Sequence, residues 1–179
     1  MNFAAFATDY DDTLAQFGKV DAPTLEALDK VKRSGRKLVL VTGRLLTDLR
    51  RVFPDLDLFD IVIAENGALL YDPASGEEKP LAECPPAEFV RLLEELVITP
   101  LEVGRVIVST REPNEDLVLA AIRDLGLEHH IVFNKGAVMV LPPNVNKASG
   151  LEAAMSRLGL TAKDALGIGD AENDHAFIE

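Results

Sequence analysis

The sequence has no tryptophan, one cysteine and three histidines among 179 residues. With Cys84 alone no intramolecular disulfide can form, which fits a reducing compartment. His129, His130 and His175 fall in no HxH or HExxH pattern, so they read as surface or packing residues rather than zinc ligands. No apolar run approaches the roughly 18 residues that cross a bilayer. The opening residues lack the basic and long apolar regions of a secretory leader, so a cytoplasmic location is expected. Basic residues are also scarce. The 18 Lys and Arg face 30 Asp and Glu, a formal net charge of −12. Such a surface repels nucleic acid and anionic membranes, which argues against both as partners. It equally opposes an anionic substrate unless a metal ion or a local basic group intervenes.

What is present is an ordinary globular mixture, 47% hydrophobic and 27% charged, long enough for one α/β domain with a modest insertion. Residues 3–8 form a short apolar run, a buried strand, followed by a polar loop at 9–13. Asp21 as N-cap, Pro23 in the first turn, Leu25, Leu28 and Val31 on one face and Gly35 as stop predict a helix. Residues 37–42 read as a strand buried on both faces. A helix at 45–52, a strand at 61–64 and a short strand at 68–71 follow, the last running out to a turn at 72–76. Residues 79–86, with Pro80, Pro85 and Pro86, read as a linker.

Beyond the linker the pattern predicts a helix at 87–96, a strand at 105–110 and a helix at 114–125 with Asn114 as N-cap. Two strands, 130–133 and 137–141, are joined by the hairpin signal Asn134-Lys135-Gly136. After Pro142-Pro143 come a helix from residue 146 to about 158 and a strand at 165–168. Alternating strands and helices in the outer segments imply an α/β fold with a doubly wound, parallel, Rossmann-like sheet. Residues 1–79 and 142–179 form that core domain. Residues 80–141 form a small inserted α+β domain with helices on one face of its sheet.

Ligands of open α/β sheets bind beyond the carboxyl ends of the strands. At those ends stand Asp9-Tyr10-Asp11-Asp12-Thr13, Thr42-Gly43-Arg44 and Gly169-Asp170, with Asn173 and Asp174 close behind and Lys147 in the first turn of the preceding helix. Asp9, Asp11, Asp170 and Asp174 would share a small volume. Each like-charge pair at about 4 Å costs roughly 4 kcal/mol at an effective dielectric of about 20. One lysine cannot balance four carboxylates, but a hard divalent cation such as Mg²⁺ can, keeping several waters. The metal then accepts a phosphate oxygen. Thr42 can donate its hydroxyl hydrogen to phosphate, and Lys147 with its helix N-terminus adds positive charge. One carboxylate beside the phosphorus can attack it, and a second, two residues on, can serve as acid and then base.

These four motifs, in this order at these element ends, resemble those of the haloacid dehalogenase superfamily over essentially the whole chain. They look like its phosphatase branch with a cap inserted between the second and third motifs, including Cof-type, phosphoglycolate-phosphatase-like and sucrose-phosphatase-like members. The resemblance implies that Asp9 is nucleophile and metal ligand. Asp11 is acid/base and offers its carbonyl to the metal. Thr42 and Lys147 hold phosphate within a pocket that includes Gly43, Arg44, Asn66 and Asn173, and Asp170 and Asp174 complete the Mg²⁺ site. Position 12 is often glycine in the family and is Asp12 here. Arg44 has an alternative use, pairing with Asp48 four residues on.

The expected activity is hydrolysis of a small phosphorylated metabolite, phosphoglycolate first and sugar phosphates next. A phosphomutase or transferase would use the same Asp9 chemistry. A phosphate-binding or regulatory module is the reading of a different class. A signalling receiver fits poorly, because the third strand ends Ala64-Glu65-Asn66 with no acceptor Asp. The chain ends nine residues after Asp170, where relatives continue with further strand–helix units. The core is therefore expected to be incomplete at its C-terminus, which favours self-association or further domains of a longer chain.

Overall fold

A computed structural model describes residues 3–170. The chain divides into two compact units, Met1–Leu81 with Asn146–Glu179, and Ala82–Val145. Leu81 belongs to the first because its N–H donates to the Ala68 carbonyl (2.8 Å) and its side chain packs on that unit's core.

The first unit runs β1 (Ala5–Thr8), β2 (Ala15–Gln16), β3 (Lys19–Val20), α1 (Ala22–Arg33), β4 (Lys37–Val41), α2 (Leu46–Val52), β5 (Ile61–Ala64), β6 (Leu69–Asp72) and β7 (Glu77–Pro80). Its six-stranded sheet also takes in a late strand and has β4 and β5 at its centre. Strand periodicity sends alternate residues to opposite faces, and β4 displays this directly. Leu38 and Leu40 enter one core with Leu28, Leu46, Leu49 and Phe53 from the α1 and α2 side. Val39 and Val41 enter the other, with Ala5, Ala7, Ile61 and Ile63. Both cores need a helical cover, so helices lie on both faces, the doubly wound arrangement.

The sheet is not wholly parallel. β1, β4 and β5 pair in parallel, while β5–β6 and β6–β7 are antiparallel. The β6–β7 turn is closed by Asp72, whose Oδ1 accepts from the N–H groups of Ala74 and Ser75, and by Gly76 at φ +75°. β7 corrects the linker expected from residue 79. Glu77-Glu78-Lys79-Pro80 holds no apolar residue because it is an edge strand, where charge and a terminal proline discourage further pairing. The β2–β3 hairpin, turning at Phe17 and Gly18 (φ +53° and +75°), was likewise not foreseen within the loop after β1.

The second unit holds α3 (Ala87–Glu95), β8 (Glu102–Val103), β9 (Val108–Arg111), α4 (Glu115–Asp124), β10 (His130–Asn134) and β11 (Ala137–Leu141). Its antiparallel sheet has the order β10-β11-β9-β8. Phe89 and Leu93 of α3 and Val118, Ala121 and Ile122 of α4 pack with Val108 and Val140, so the helices share one face. Lys135 and Gly136 (φ +50° and +79°) form the two-residue turn that their sequence announced. Asn114 precedes α4 but makes no capping bond. Its backbone is already helical, and its side-chain amide donates to the Thr99 carbonyl and the Thr110 hydroxyl instead.

The first unit resumes with α5 (Lys147–Arg157) and β12 (Ala165–Ile168). Asn146 and Ser149 cap α5 reciprocally, and Leu151, Ala154 and Met155 cover the second core. β12 pairs in parallel with β1 and forms the other sheet edge, with Leu166 and Ile168 exposed on one side.

His129 packs beside the Phe89 ring (centroids 6.4 Å apart), and neither ring nitrogen has a hydrogen-bond partner among the described residues. Burial, helped by the nearby His130 charge, lowers its pKa below the ordinary 6.5. Below that value the unfolded chain takes the proton more readily than the folded one, so stability falls as pH drops through about 6.5. Thermal melts between pH 8 and 5 should show this slope, and His129→Phe should flatten it. An equal slope in the variant would assign the acid sensitivity to other groups.

Candidate active site

Asp9 sits at the carboxyl end of β1, between the ends of β12 and β4 in the sheet order. Its N–H donates to the Ile168 carbonyl (2.9 Å), which ties the loop to β12. Its carboxylate is buried, and Oδ1 accepts a hydrogen bond from Lys147 Nζ at 2.7 Å. Lys147 is only 1% exposed. A buried charge persists when it is paired and hydrogen-bonded, and residues 138 positions apart supply this pair.

Two glycines let Lys147 reach that point. Gly67, at φ +104°, lies so close to the start of α5 that a Cβ would stand 1.9 Å from the Asn146 carbonyl oxygen. On α5, Gly150 would carry a Cβ 2.6 Å from Ile63 Cγ2 and 2.7 Å from Gly67 Cα. The first turns of α5 therefore rest directly on the β5–β6 connection. That connection is unusual in its own right. Glu65, Asn66 and Gly67 all take positive φ, and all three are buried. The Asn66 N–H donates to the Thr42 carbonyl (3.0 Å) and the Glu65 N–H to the Arg44 carbonyl (2.9 Å), locking it to the segment after β4.

Thr42 is fully buried at the end of β4, where its hydroxyl oxygen accepts from the Arg44 N–H (3.2 Å). Gly43 follows in the same turn, half-buried. The Arg44 guanidinium grips Asp11 by both carboxylate oxygens, Nε to Oδ2 at 2.8 Å and Nη2 to Oδ1 at 2.7 Å. Its Nη1 donates to Asp48, which also accepts from Arg51. The Tyr10 ring lies under it, 5.5 Å from the guanidinium carbon. The hydrogen bond to Asp11 raises the Arg44 pKa above its ordinary value against the opposing pull of burial, and the Asp11 and Asp48 charges add to the rise. Burial pushes the Asp48 carboxyl up, but hydrogen bonds from Arg51 and Arg44 outweigh it and leave it below the usual range.

Asp12 takes φ +62°, a left-handed conformation that glycine adopts freely and Asp tolerates better than most residues. That geometry accounts for glycine being an acceptable residue here. Asp170, exposed, accepts from the Thr13 hydroxyl at 3.2 Å, so the ends of β1 and β12 meet through these side chains as well. Asn173 and Asp174 lie outside the described residues.

Of the four carboxylates expected from the sequence to share the metal site, Asp9, Asp11 and Asp170 lie within the described residues and Asp174 lies outside them. Among the described residues, no three side chains of His, Cys, Asp or Glu gather into a metal-holding group. Arg44 holds the Asp11 carboxylate, and Lys147 pairs with Asp9. The charge excess that called for a cation is correspondingly smaller. The donors that remain still suit one. They are the carboxylates of Asp9 and Asp170 and the backbone carbonyl of Asp11, all hard oxygens at neighbouring strand ends, a set that leaves room for the waters Mg²⁺ retains.

The chain matches the model of the haloacid dehalogenase-like hydrolases over residues 6–96 and 93–179. It is 29% identical to the phosphoglycolate phosphatase of Methanothermobacter thermautotrophicus over 98% of this chain and 80% of that protein. It is 31% identical to the phosphoglycolate phosphatase of Methanosarcina acetivorans over 100% of this chain and 80% of that protein. A haloacid dehalogenase-like hydrolase from Bacteroides thetaiotaomicron superposes with a TM-score of 0.78 at 18% identity, covering 99% of this chain and 85% of that one. With that fold, those strand-end residues and a family match along nearly its whole length, the chain belongs to the haloacid dehalogenase-like hydrolases, as an enzyme of the family's phosphatase group.

Proposed function

We propose that the enzyme hydrolyses a small phosphomonoester, phosphoglycolate foremost, through an aspartyl-phosphate on Asp9. The observation that carries this reading is the buried Asp9 carboxylate with one oxygen held by buried Lys147 at 2.7 Å. A fixed lysine orients the carboxylate and attracts the phosphate it attacks. The substrate follows from the kinship with phosphoglycolate phosphatases.

In the first step an Asp9 oxygen bonds to phosphorus as the ester P–O bond breaks, and Asp11 supplies the proton that the leaving alkoxide takes. In the second, Asp11 takes a proton from water. The water oxygen bonds to phosphorus, and the Asp9–phosphorus bond breaks to release inorganic phosphate and restore the carboxylate. Lys147 and the Thr42 hydroxyl offset the charge on the phosphate oxygens, with Gly43 and Asn66 shaping the turn around them and Asn173 assigned to the same pocket. Mg²⁺, held by Asp9, Asp170, the Asp11 carbonyl and Asp174, would supply further neutralisation of the phosphate.

The test is release of inorganic phosphate from a panel of phosphoglycolate, sugar phosphates and an aryl phosphate, with Mg²⁺ and with EDTA. Turnover of phosphoglycolate above the others, abolished by EDTA and restored by Mg²⁺, is the expected result. Turnover that survives EDTA would remove the metal from the proposal. No turnover of any substrate, with phosphate binding retained, would favour a binding module.

A further inference from the structure

Resting on that phosphatase reading, we propose that Arg44 is a positioning residue for the acid/base step. It docks the Asp11 carboxylate by both oxygens and keeps it apart from the nucleophile's partner. The loop after β1 presents two carboxylates two residues apart, close enough to compete for the same cation. The structure sorts them. Lys147 engages Asp9, and Arg44 engages Asp11 through two parallel hydrogen bonds of 2.7 and 2.8 Å. A guanidinium fork matches a carboxylate in this bidentate way, which a lysine cannot.

Arg44 is itself held from two further sides. Asp48, in the first turn of α2, takes Nη1, and Arg51 shares that Asp48 carboxylate. The Tyr10 ring lies beneath, and the Tyr10 hydroxyl donates to the Gly18 carbonyl (3.2 Å). When Asp11 turns toward a leaving group, Arg44 cannot follow it. The carboxylate therefore leaves from, and returns to, one fixed dock. Arg44 needs no contact with substrate for this, which separates the role from phosphate binding.

Positioning of this kind affects the step in which Asp11 moves a proton. For a substrate with an alkyl leaving group, kcat/KM includes that protonation. A 4-nitrophenolate leaves without it. The measurement is kcat/KM for phosphoglycolate and for 4-nitrophenyl phosphate in wild type, Arg44→Leu, Arg44→Lys, Asp11→Asn and Asp11→Asn/Arg44→Leu, with folding checked by circular dichroism. Asp11→Asn should lower the phosphoglycolate value about 10²-fold or more, the usual weight of a general acid. Arg44→Leu should reduce phosphoglycolate about tenfold further than the aryl ester, and Arg44→Lys should restore part of that gap. In the Asp11→Asn background, Arg44→Leu should cost less than about twofold more, because its effect passes through Asp11. Equal losses on both substrates, or an undiminished loss in the Asp11→Asn background, would overturn the assignment and point to direct phosphate binding or a purely structural role. A wild type inactive on both esters would instead overturn the phosphatase reading, and this inference with it.

Discussion

An Asp9→Asn enzyme should release phosphate roughly 10⁴ to 10⁶ times more slowly than wild type, the scale seen when a catalytic nucleophile is removed. The amide lacks the charge and the nucleophilicity to form the acyl-phosphate bond, while every other group stays where it was. Stability should change far less than activity. Breaking a buried ion pair by deleting one partner costs roughly 3–5 kcal/mol, but the Asn oxygen can still accept from Lys147 Nζ, so a smaller loss is expected. Phosphate release in single-turnover mixing, set beside a thermal melt, separates the two. A variant within tenfold of wild-type rate would remove Asp9 as nucleophile. An unfolded variant would call for Asp9→Glu, which keeps the charge and displaces the attacking oxygen.

Gly67→Ala should be the most damaging substitution away from the charged residues. A methyl group there would stand 1.9 Å from the Asn146 carbonyl oxygen and 2.4 Å from its carbon, both backbone atoms that no rotamer change can move. The φ of +104° adds strain for any residue with a Cβ. Overpacking and backbone strain each cost about 1–3 kcal/mol, so the variant should lose about 2–6 kcal/mol of stability. Activity should fall too, because relieving the clash moves the first turn of α5 and with it Lys147. Gly76→Ala is the control. It also has positive φ (+75°), but its Cβ meets nothing within 4 Å, so only the strain remains. Chemical denaturation of both variants tests this. Similar midpoints would show that the β5–β6 connection yields more easily than its packing implies.

Much of this was open to reading in the chain itself. The apolar runs of β1, β4 and β5 are buried strands because almost every residue in them faces a core, and such runs need no knowledge of their partners to be recognised. Asp9, Thr42, Lys147 and Asp170 stood out because each ends or begins an element and the four come in a fixed order. β7 escaped notice because an edge strand of charged residues has no apolar signature. The charge arithmetic left the pairings open for a related reason. Residue counts treat four carboxylates and one lysine as a pool, and Arg44 was weighed as a phosphate ligand or as a partner of Asp48. That it also holds Asp11 by both oxygens depends on two loops meeting across 33 positions, which no local pattern encodes.

The sequence by itself determined the class of fold, the family and the strand-end positions of the residues proposed to perform the chemistry. Strand periodicity, helix caps and strand-end motifs are local, and each acts within a few residues of its cause. Only the tertiary structure decided which cation serves which carboxylate. Lys147 reaches Asp9 because Gly67 and Gly150 let α5 lie against the β5–β6 connection, and Asp11 is docked because Arg44 is pinned by Asp48 and Tyr10. Those pairings are set by the close approach of backbones far apart in the chain, where a single Cβ would be too much.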